Sequence, residues 1–184
     1  MATGRNIFCC AARASRRDGF TLVELLIVVG IIMLLIGIAV PAIAMARRSA
    51  ASVKCVSNLR QIANAFHQHA MADGGRMPDP FENKTSWEAS LNPYMSAASA
   101  FVCPSDFEVA PAIGSSYDWR DTGKETTTLA GQFLTAVRRP DAILVFDALG
   151  GWHGKQKINA ARLDGSVQSM DEKECFDDLV NPIR

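Results

Sequence analysis

The chain has 184 residues and a formal net charge of zero, which leaves room for one domain and one accessory segment but not for two domains. Of its 19 basic and 19 acidic side chains, four (Arg5, Arg13, Arg16, Arg17) and one (Asp18) fall in residues 1–19, so the remainder carries 15 and 18 and is mildly acidic. Beyond that point Lys and Arg stand singly or in isolated pairs such as Arg47-Arg48 and Arg138-Arg139, which excludes the basic stripe of a nucleic-acid interface.

Residues 1–19 read as a short basic leader. From Leu25 to Ala46 there follow 22 residues without a charge, a helix of roughly 33 Å against a hydrocarbon core of about 30 Å. The basic residues ahead of it favour the cytoplasmic side and send the C-terminal part across the membrane. Three plain readings compete. Ala44-Met45-Ala46 has the small-x-small form of a signal peptidase site, although the apolar run exceeds the roughly 7 to 15 residues of a secretory signal. An uncleaved anchor and a buried core helix are the other two. Against all three stands the junction Arg16-Arg17-Asp18-Gly19-Phe20-Thr21-Leu22-Val23-Glu24-Leu25-Leu26. A carboxylate at the edge of a membrane helix calls for a partner. A cut after Gly19 would free an α-ammonium on Phe20, one helical turn before Glu24. Pairing such charges between neighbouring subunits would select one axial register, because any other stagger leaves a charge unpaired.

At these residues the chain resembles the type IV pilin and type II secretion pseudopilin family, with its basic leader, Gly-Phe cleavage site and Phe-Thr-Leu-Val-Glu-Leu-Leu run. The resemblance implies cleavage between Gly19 and Phe20 by a prepilin peptidase and N-methylation of Phe20. It assigns Glu24, the fifth mature residue, to subunit registration, and Pro41 to the place of a helix-bending proline. The implied partners are the peptidase, other pilin or pseudopilin subunits, an inner-membrane assembly platform and the lipid bilayer, with no nucleic acid. The implied location is a single-pass inner-membrane protein with a cytoplasmic leader and an extracytoplasmic head, which becomes part of a filament after assembly.

Beyond Arg47 the pattern turns amphipathic. Cys55, Leu59, Ile62, Phe66 and Ala70 recur at spacings of four, three, four and four, a stripe that faces a core. Lys54, Asn58, Arg60, Gln61 and Asn64 read as the solvated face, and Asp73-Gly74-Gly75 as a stop. Phe20 to Ala72 is thus one helix of about 53 residues, on the order of 80 Å if unbroken, with a bend or melted stretch expected at Pro41 and the glycines at 30 and 37. His67 and His69, two apart, do not form the i, i+4 pair that a helical zinc site favours, and read as solvated or edge histidines.

Five cysteines stand at 9, 10, 55, 103 and 175, the first two in the leader. An oxidising compartment allows one disulfide among the remaining three. The sequence does not choose among the three pairings; Cys55 with Cys103 is preferred because it would tie the helix to the globular part.

Residues 74 to 111 are rich in Gly, Pro, Asn and Ser and read as loop, with one small helix or turn around Trp87 to Tyr94. Ser116 to Trp119, Glu125 to Leu129 and Ala142 to Phe146 are predicted strands. The clearest hairpin is Lys157 to Leu163, a two-residue Asp164-Gly165 turn, and Ser166 to Met170. The fold class is α+β: a long N-terminal hydrophobic helix packed on a small antiparallel β-sheet head, pilin-like. It divides into leader 1–19, transmembrane and assembly helix 20–46, amphipathic helix 47–73 and globular head 74–184.

Cys55-Val56-Ser57-Asn58-Leu59-Arg60-Gln61-Ile62 and Phe101-Val102-Cys103-Pro104-Ser105-Asp106 resemble runs in pseudopilin-like proteins and read as structural. Trp152-His153 through Asp164-Gly165 resembles the H-X9-DG element of the same group, although ten residues separate His153 from Asp164 here. A functional reading makes Asp147, His153 and Asp164 a metal or recognition cluster, with calcium the candidate ion and Gly150, Gly151 and Gly154 supplying flexibility. The favoured reading is that Asp164-Gly165 serves turn geometry and Trp152-His153 packs a loop, with no cofactor.

The leading function is a filament subunit of a pilus or type II pseudopilus, which needs no active site, and no catalytic motif is evident. The rival is a membrane-tethered extracytoplasmic ligand-binding module that does not polymerise, with Trp87, Tyr94, Tyr117, Trp119 and Trp152 as contacts. An enzyme using Cys103 or His153 would rest on single residues.

Overall fold

A computed structural model describes residues 20–153 and 157–184, with Asn83 described by its backbone alone. The leader, with Gly19 at its end, and Gly154 lie outside the described residues. The chain divides into two compact units, one ending at Ile43 and one running from Ala44 to Arg184. The helix predicted over residues 20–72 is α1, Leu22–Ala72.

In the first unit α1 is exposed at every described position. Among the described residues it is one helix long and apolar enough to cross a membrane. It runs without interruption through Pro41, so the expected melted stretch is absent. Proline there withholds only one N–H, the donor for the Gly37 carbonyl four residues back, and the neighbouring turns keep their bonds.

In the second unit the predicted stripe is the core. Cys55, Leu59, Ile62, Phe66 and Ala70 are all fully buried, and Ala63 and Ala65 widen the buried face. Asn58, assigned above to the solvated face, is also fully buried. It lies three residues after Cys55 and four before Ile62, on the same side of the helix. Its amide donates to the Val102 carbonyl at 3.0 Å and the Tyr117 hydroxyl at 3.3 Å, which offsets the cost of burying it. Lys54, Arg60 and Asn64 remain exposed as expected.

In the segment read as loop with one small helix around Trp87 to Tyr94, that helix is α3 (Trp87–Leu91) with a 3-10 turn at Asn92–Tyr94, and further short turns not predicted are α2 (Pro80–Asn83), α4 (Val109–Ile113) and a 3-10 turn at Ala98–Phe101. Side chains start them. Asp79 accepts from the N–H groups of Phe81 and Glu82, Ser86 from Ala89, and Asp106 from Glu108, Val109 and Ala110, satisfying donors that a first helical turn leaves open.

Strands β1 (Tyr117–Trp119), β2 (Ile143–Asp147), β3 (Lys157–Arg162) and β4 (Val167–Asp171) form an antiparallel sheet in chain order. The predicted β3–β4 hairpin is present, but Ala161 pairs with Val167 and the Arg162 N–H bonds to the Ser166 carbonyl, so its turn holds three residues, 163–165, instead of the expected two; Gly165 takes φ +84 there, a value that glycine adopts without strain. The predicted strand Glu125 to Leu129 is instead a turn, in which the N–H groups of Thr127 and Thr128 both bond to the Lys124 carbonyl. A helix not predicted, α5 (Glu172–Val180), follows β4 directly.

The sheet is covered on both faces, which is why all five residues of β2 are buried. Tyr117, Trp119, Val145 and Ala161 join the cluster around the α1 stripe, while Ile143, Phe146, Ile158, Ala160 and Met170 pack with Cys175 and Leu179 of α5. An irregularity in the β2–β3 register between Ile143 and Val145 lets Leu144 join the α1-side cluster next to Val145, as an extra residue in a strand does.

Candidate functional site

The first candidate site is the start of α1. Thr21 and Glu24 form a reciprocal cap. The Thr21 N–H and hydroxyl donate to Glu24 Oε2 at 2.9 and 2.7 Å, and the Glu24 N–H donates to Thr21 Oγ1 at 3.2 Å. This is the capping box that the sequence Thr-Leu-Val-Glu encodes, and it gives Glu24 a local role beside the charge pairing expected of it. Cleavage after Gly19 leaves both partners intact. Oε1 of Glu24 has no hydrogen-bond partner among the described residues, and Phe20 is exposed. Pro41 lies in the same exposed apolar stretch.

The second candidate site lies under the α1-side face of the sheet. Cys55 and Cys103 are disulfide-bonded, with Cα atoms 5.3 Å apart, and both are fully buried. The bridge ties α1 to the turn after Phe101, and the Cys103 N–H is held by Ser116 Oγ at 2.8 Å. Cys175 is free and buried. Burial pushes its thiol up to about 12.

His153 comes from the loop after β2. Its Nε2 lies 3.3 Å from Cys103 Sγ and 3.8 Å from Asp147 Oδ2. The side chains of His153 and Asp147 are 2% and 0% exposed. Burial raises the Asp147 carboxyl to about 7, against the opposing effect of the Asn159 N–H, which donates to Oδ2 at 2.8 Å. Burial also pushes the His153 imidazole below its ordinary value. Asp147 Oδ1 and His153 Nδ1 are buried and have no hydrogen-bond partner among the described residues.

The expected trio Asp147, His153 and Asp164 therefore divides. Asp164 is exposed on the β3–β4 turn, where its carboxylate accepts from the Ser166 N–H at 2.8 Å. The antiparallel register explains the separation. Asp147 ends β2, next to Phe146 opposite Ala160, whereas Asp164 follows Arg162, which faces Ile143 at the other end of the same strand. Four residues of strand span about 13 Å. The turn reading of Asp164-Gly165 fits this geometry, and Trp152 packs partly buried against the core as expected while His153 is buried beside Cys103 and Asp147. Its nearness to Cys103, fifty residues away in the chain, had no local signal.

The aromatic side chains proposed as ligand contacts are mostly core. Phe66 stacks on Trp87 and Trp119 with ring centroids 5.7 and 5.0 Å apart, and Phe101 meets Trp87 edge-on at 5.4 Å. Tyr117 is buried, and Tyr94 and Trp152 pack partly buried against the same cluster. His69 meets Tyr94 edge-on, with centroids 5.8 Å apart, the edge position expected of it.

A charged network escaped the sequence reading. Arg120 is fully buried. Its guanidinium donates to Asp178 Oδ2 at 2.7 Å and to the carbonyls of Thr127, Asp178, Leu179 and Asn181. Asp178 also pairs with Arg139 and accepts from the Ile143 N–H at 3.1 Å. Five hydrogen bonds, to one carboxylate oxygen and four carbonyls, pin α5 and the 125–129 turn to the sheet.

No curated protein and no solved structure matches the chain. The family model of the prokaryotic N-terminal methylation motif matches residues 14–40, the segment that holds the basic flank, Gly19, Phe20, Glu24 and most of the apolar run. With a capped apolar helix beginning at Leu22 and an α+β head on a four-stranded antiparallel sheet, the chain carries the N-terminal signal of type IV pilins and pseudopilins on a pilin-like fold.

Proposed function

We propose that the protein is a structural subunit of a pilus or type II secretion pseudopilus. It is made as a prepilin, cleaved after Gly19 by a prepilin peptidase, N-methylated on Phe20, and assembled with other pilins through residues 20–46. The leader stays cytoplasmic, the apolar helix holds the precursor in the inner membrane as a single pass, and the head is extracytoplasmic. Such a subunit needs no catalytic centre.

The observation that carries this reading is the coincidence of the methylation motif over residues 14–40 with a helix whose residues 22–46 are all exposed. Lipid covers such a surface before assembly, and the same stretch of neighbouring subunits covers it afterwards. Partner ammonium groups would reach the outward oxygen of Glu24. The placing of Trp87, Tyr117 and Trp119 in the core removes most of the contacts on which a tethered binding module would depend.

N-terminal sequencing and intact mass of the protein from cells with an active prepilin peptidase test the proposal. The expected first residue is N-methylated Phe20. A mature chain that begins at Arg47, or that keeps its first nineteen residues, would contradict it.

A further inference from the structure

The Cys55–Cys103 bridge has a second use that does not depend on filament assembly. Zinc in a structural site is held by cysteine and histidine in a tetrahedron, with Zn–S near 2.3 Å and Zn–N near 2.0–2.1 Å, so that ligand sulfurs stand about 3.8 Å apart and a sulfur and a nitrogen about 3.6 Å apart. Cys103 Sγ and His153 Nε2 are already 3.3 Å apart. The ligand atoms of Cys55, Cys103 and His153 all lie within 4.8 Å of one another. The Cα atoms of the two cysteines, 5.3 Å apart, allow their thiolates to separate to zinc-site spacing by side-chain rotation.

A carboxylate borders the imidazole. Asp147 Oδ2 is 3.8 Å from the same ring nitrogen, and Asp147 Oδ1, on a fully buried side chain, has no hydrogen-bond partner among the described residues. The carboxylate stands outside the group of three whose ligand atoms are mutually within 4.8 Å, which leaves the fourth position of a tetrahedral ion to water.

We propose that reduction converts this disulfide into a zinc site formed by Cys55, Cys103 and His153, with water in the fourth position and Asp147 as the neighbouring carboxylate. The bridge takes two electrons and two protons from a dithiol, which becomes its disulfide, or two electrons from a phosphine and two protons from water, whose oxygen ends on the phosphine oxide. Zn²⁺ then displaces the two thiol protons and binds both thiolates. Disulfide and zinc are alternative clips between α1 and the turn after Phe101, and they exclude each other because they use the same sulfur atoms. Thiolate and imidazole donors select zinc over calcium, which takes oxygen ligands. The calcium reading of Asp147, His153 and Asp164 is thereby replaced by a different donor set.

The test uses the full chain in detergent micelles, carrying Cys9→Ser, Cys10→Ser and Cys175→Ser so that Cys55 and Cys103 are its only thiols. After phosphine reduction, Co²⁺ is titrated as the spectroscopic probe and Zn²⁺ as competitor, with far-UV circular dichroism recorded throughout. The expected result is one cobalt per chain, with visible bands of a tetrahedral ion and thiolate-to-metal charge transfer that zinc abolishes; the oxidised chain gives neither. His153→Ala should weaken cobalt binding at least tenfold. If the reduced chain loses structure without metal, zinc should restore its ellipticity. A reduced chain that gives no charge-transfer band and regains no structure with zinc overturns the proposal, as does a His153→Ala chain that binds cobalt as tightly as its parent.

Discussion

Glu24 is asked to do two things at once, and the two can be separated by chemistry. Its side chain closes a capping box with Thr21, a task that glutamine performs as well as glutamate. Charge pairing with the ammonium of a cleaved neighbour needs the carboxylate. Glu24→Gln should therefore leave the helix intact by circular dichroism yet reduce sheared filaments to background, as Glu24→Ala should. Normal filaments from Glu24→Gln would mean that Glu24 serves only the cap. At Asp147 the prediction concerns pH. Its carboxyl is ordinary in the unfolded chain and titrates near 7 when folded, so between about pH 4 and 7 the folded state holds a proton that the unfolded state has released. Stability from this group is full below the unfolded value and is lost as pH rises through the folded one. The oxidised Asp147→Asn chain should become progressively more stable than its parent from pH 4 to 7, by on the order of 3–4 kcal/mol at the plateau. His153, Tyr117 and Cys175 interact with the same carboxylate or lie beside it. His153 acts with the opposite sign, losing its contribution as pH falls below its ordinary value, and the difference between the two chains reports Asp147 together with its coupling to His153. Urea midpoints measured at each pH check this; a difference independent of pH refutes it.

Among the elements, α1 and α5 are held in different ways. The lower half of α1 is tied by the Cys55–Cys103 bridge, which closes a loop of 48 residues. Chain-entropy arguments put the stabilisation of such a loop at about 4 kcal/mol. A Cys103→Ser chain should lose roughly 2–5 kcal/mol of unfolding free energy, readable in the urea midpoint of the near-UV signal from Trp87 and Trp119. α5 is held by Leu179 and Cys175 in the second cluster and by the Arg120–Asp178–Arg139 network. Removing the carboxylate leaves the fully buried guanidinium of Arg120 without its counter-ion. Asp178→Ala should cost about 3–5 kcal/mol, whereas Arg184→Ala, which breaks only the exposed pair with Glu125, should be nearly silent. Equal effects from the two substitutions would show that Arg120 does not depend on Asp178.

At the scale of the whole molecule, one compact unit carries the N-terminal methylation motif and the other the hydrophobic core, an arrangement in which each should act independently. Phe66→Ala should test that independence. It empties the stacked position between Trp87 and Trp119, at a cost of about 3–5 kcal/mol to the head, while prepilin cleavage, which reads residues around Gly19, should proceed unchanged in a pulse-chase. Cleavage that fails together with the head would mean the signal is not read on its own. The signal, the apolar run, the core stripe from Cys55 to Ala70, the β3–β4 hairpin and the buried strand β2 were all readable in the sequence. Each depends on neighbours within one or two turns, or on an alternation of polarity that the chain states directly. The cap at Thr21 was equally readable, and was missed because Glu24 was weighed only as a charge. The side of Asn58, the turn at 125–129, the helix α5 and the meeting of His153 with Cys103 were different. Asn58 is polar by type and buried by the partners Val102 and Tyr117. Residues 125–129 have strand-forming side chains but close around Arg120, whose Nε donates to the Thr127 carbonyl. His153 and Asp147 are separated from the disulfide by the chain and joined to it by sheet register. Local pattern thus determined the methylation motif, the long apolar helix and the core face, because those follow from periodicity and composition. Only the tertiary structure decided which polar groups are buried together, because hydrogen bonds and ion pairs are selected by what packing brings within about 3 Å, whatever the distance along the chain.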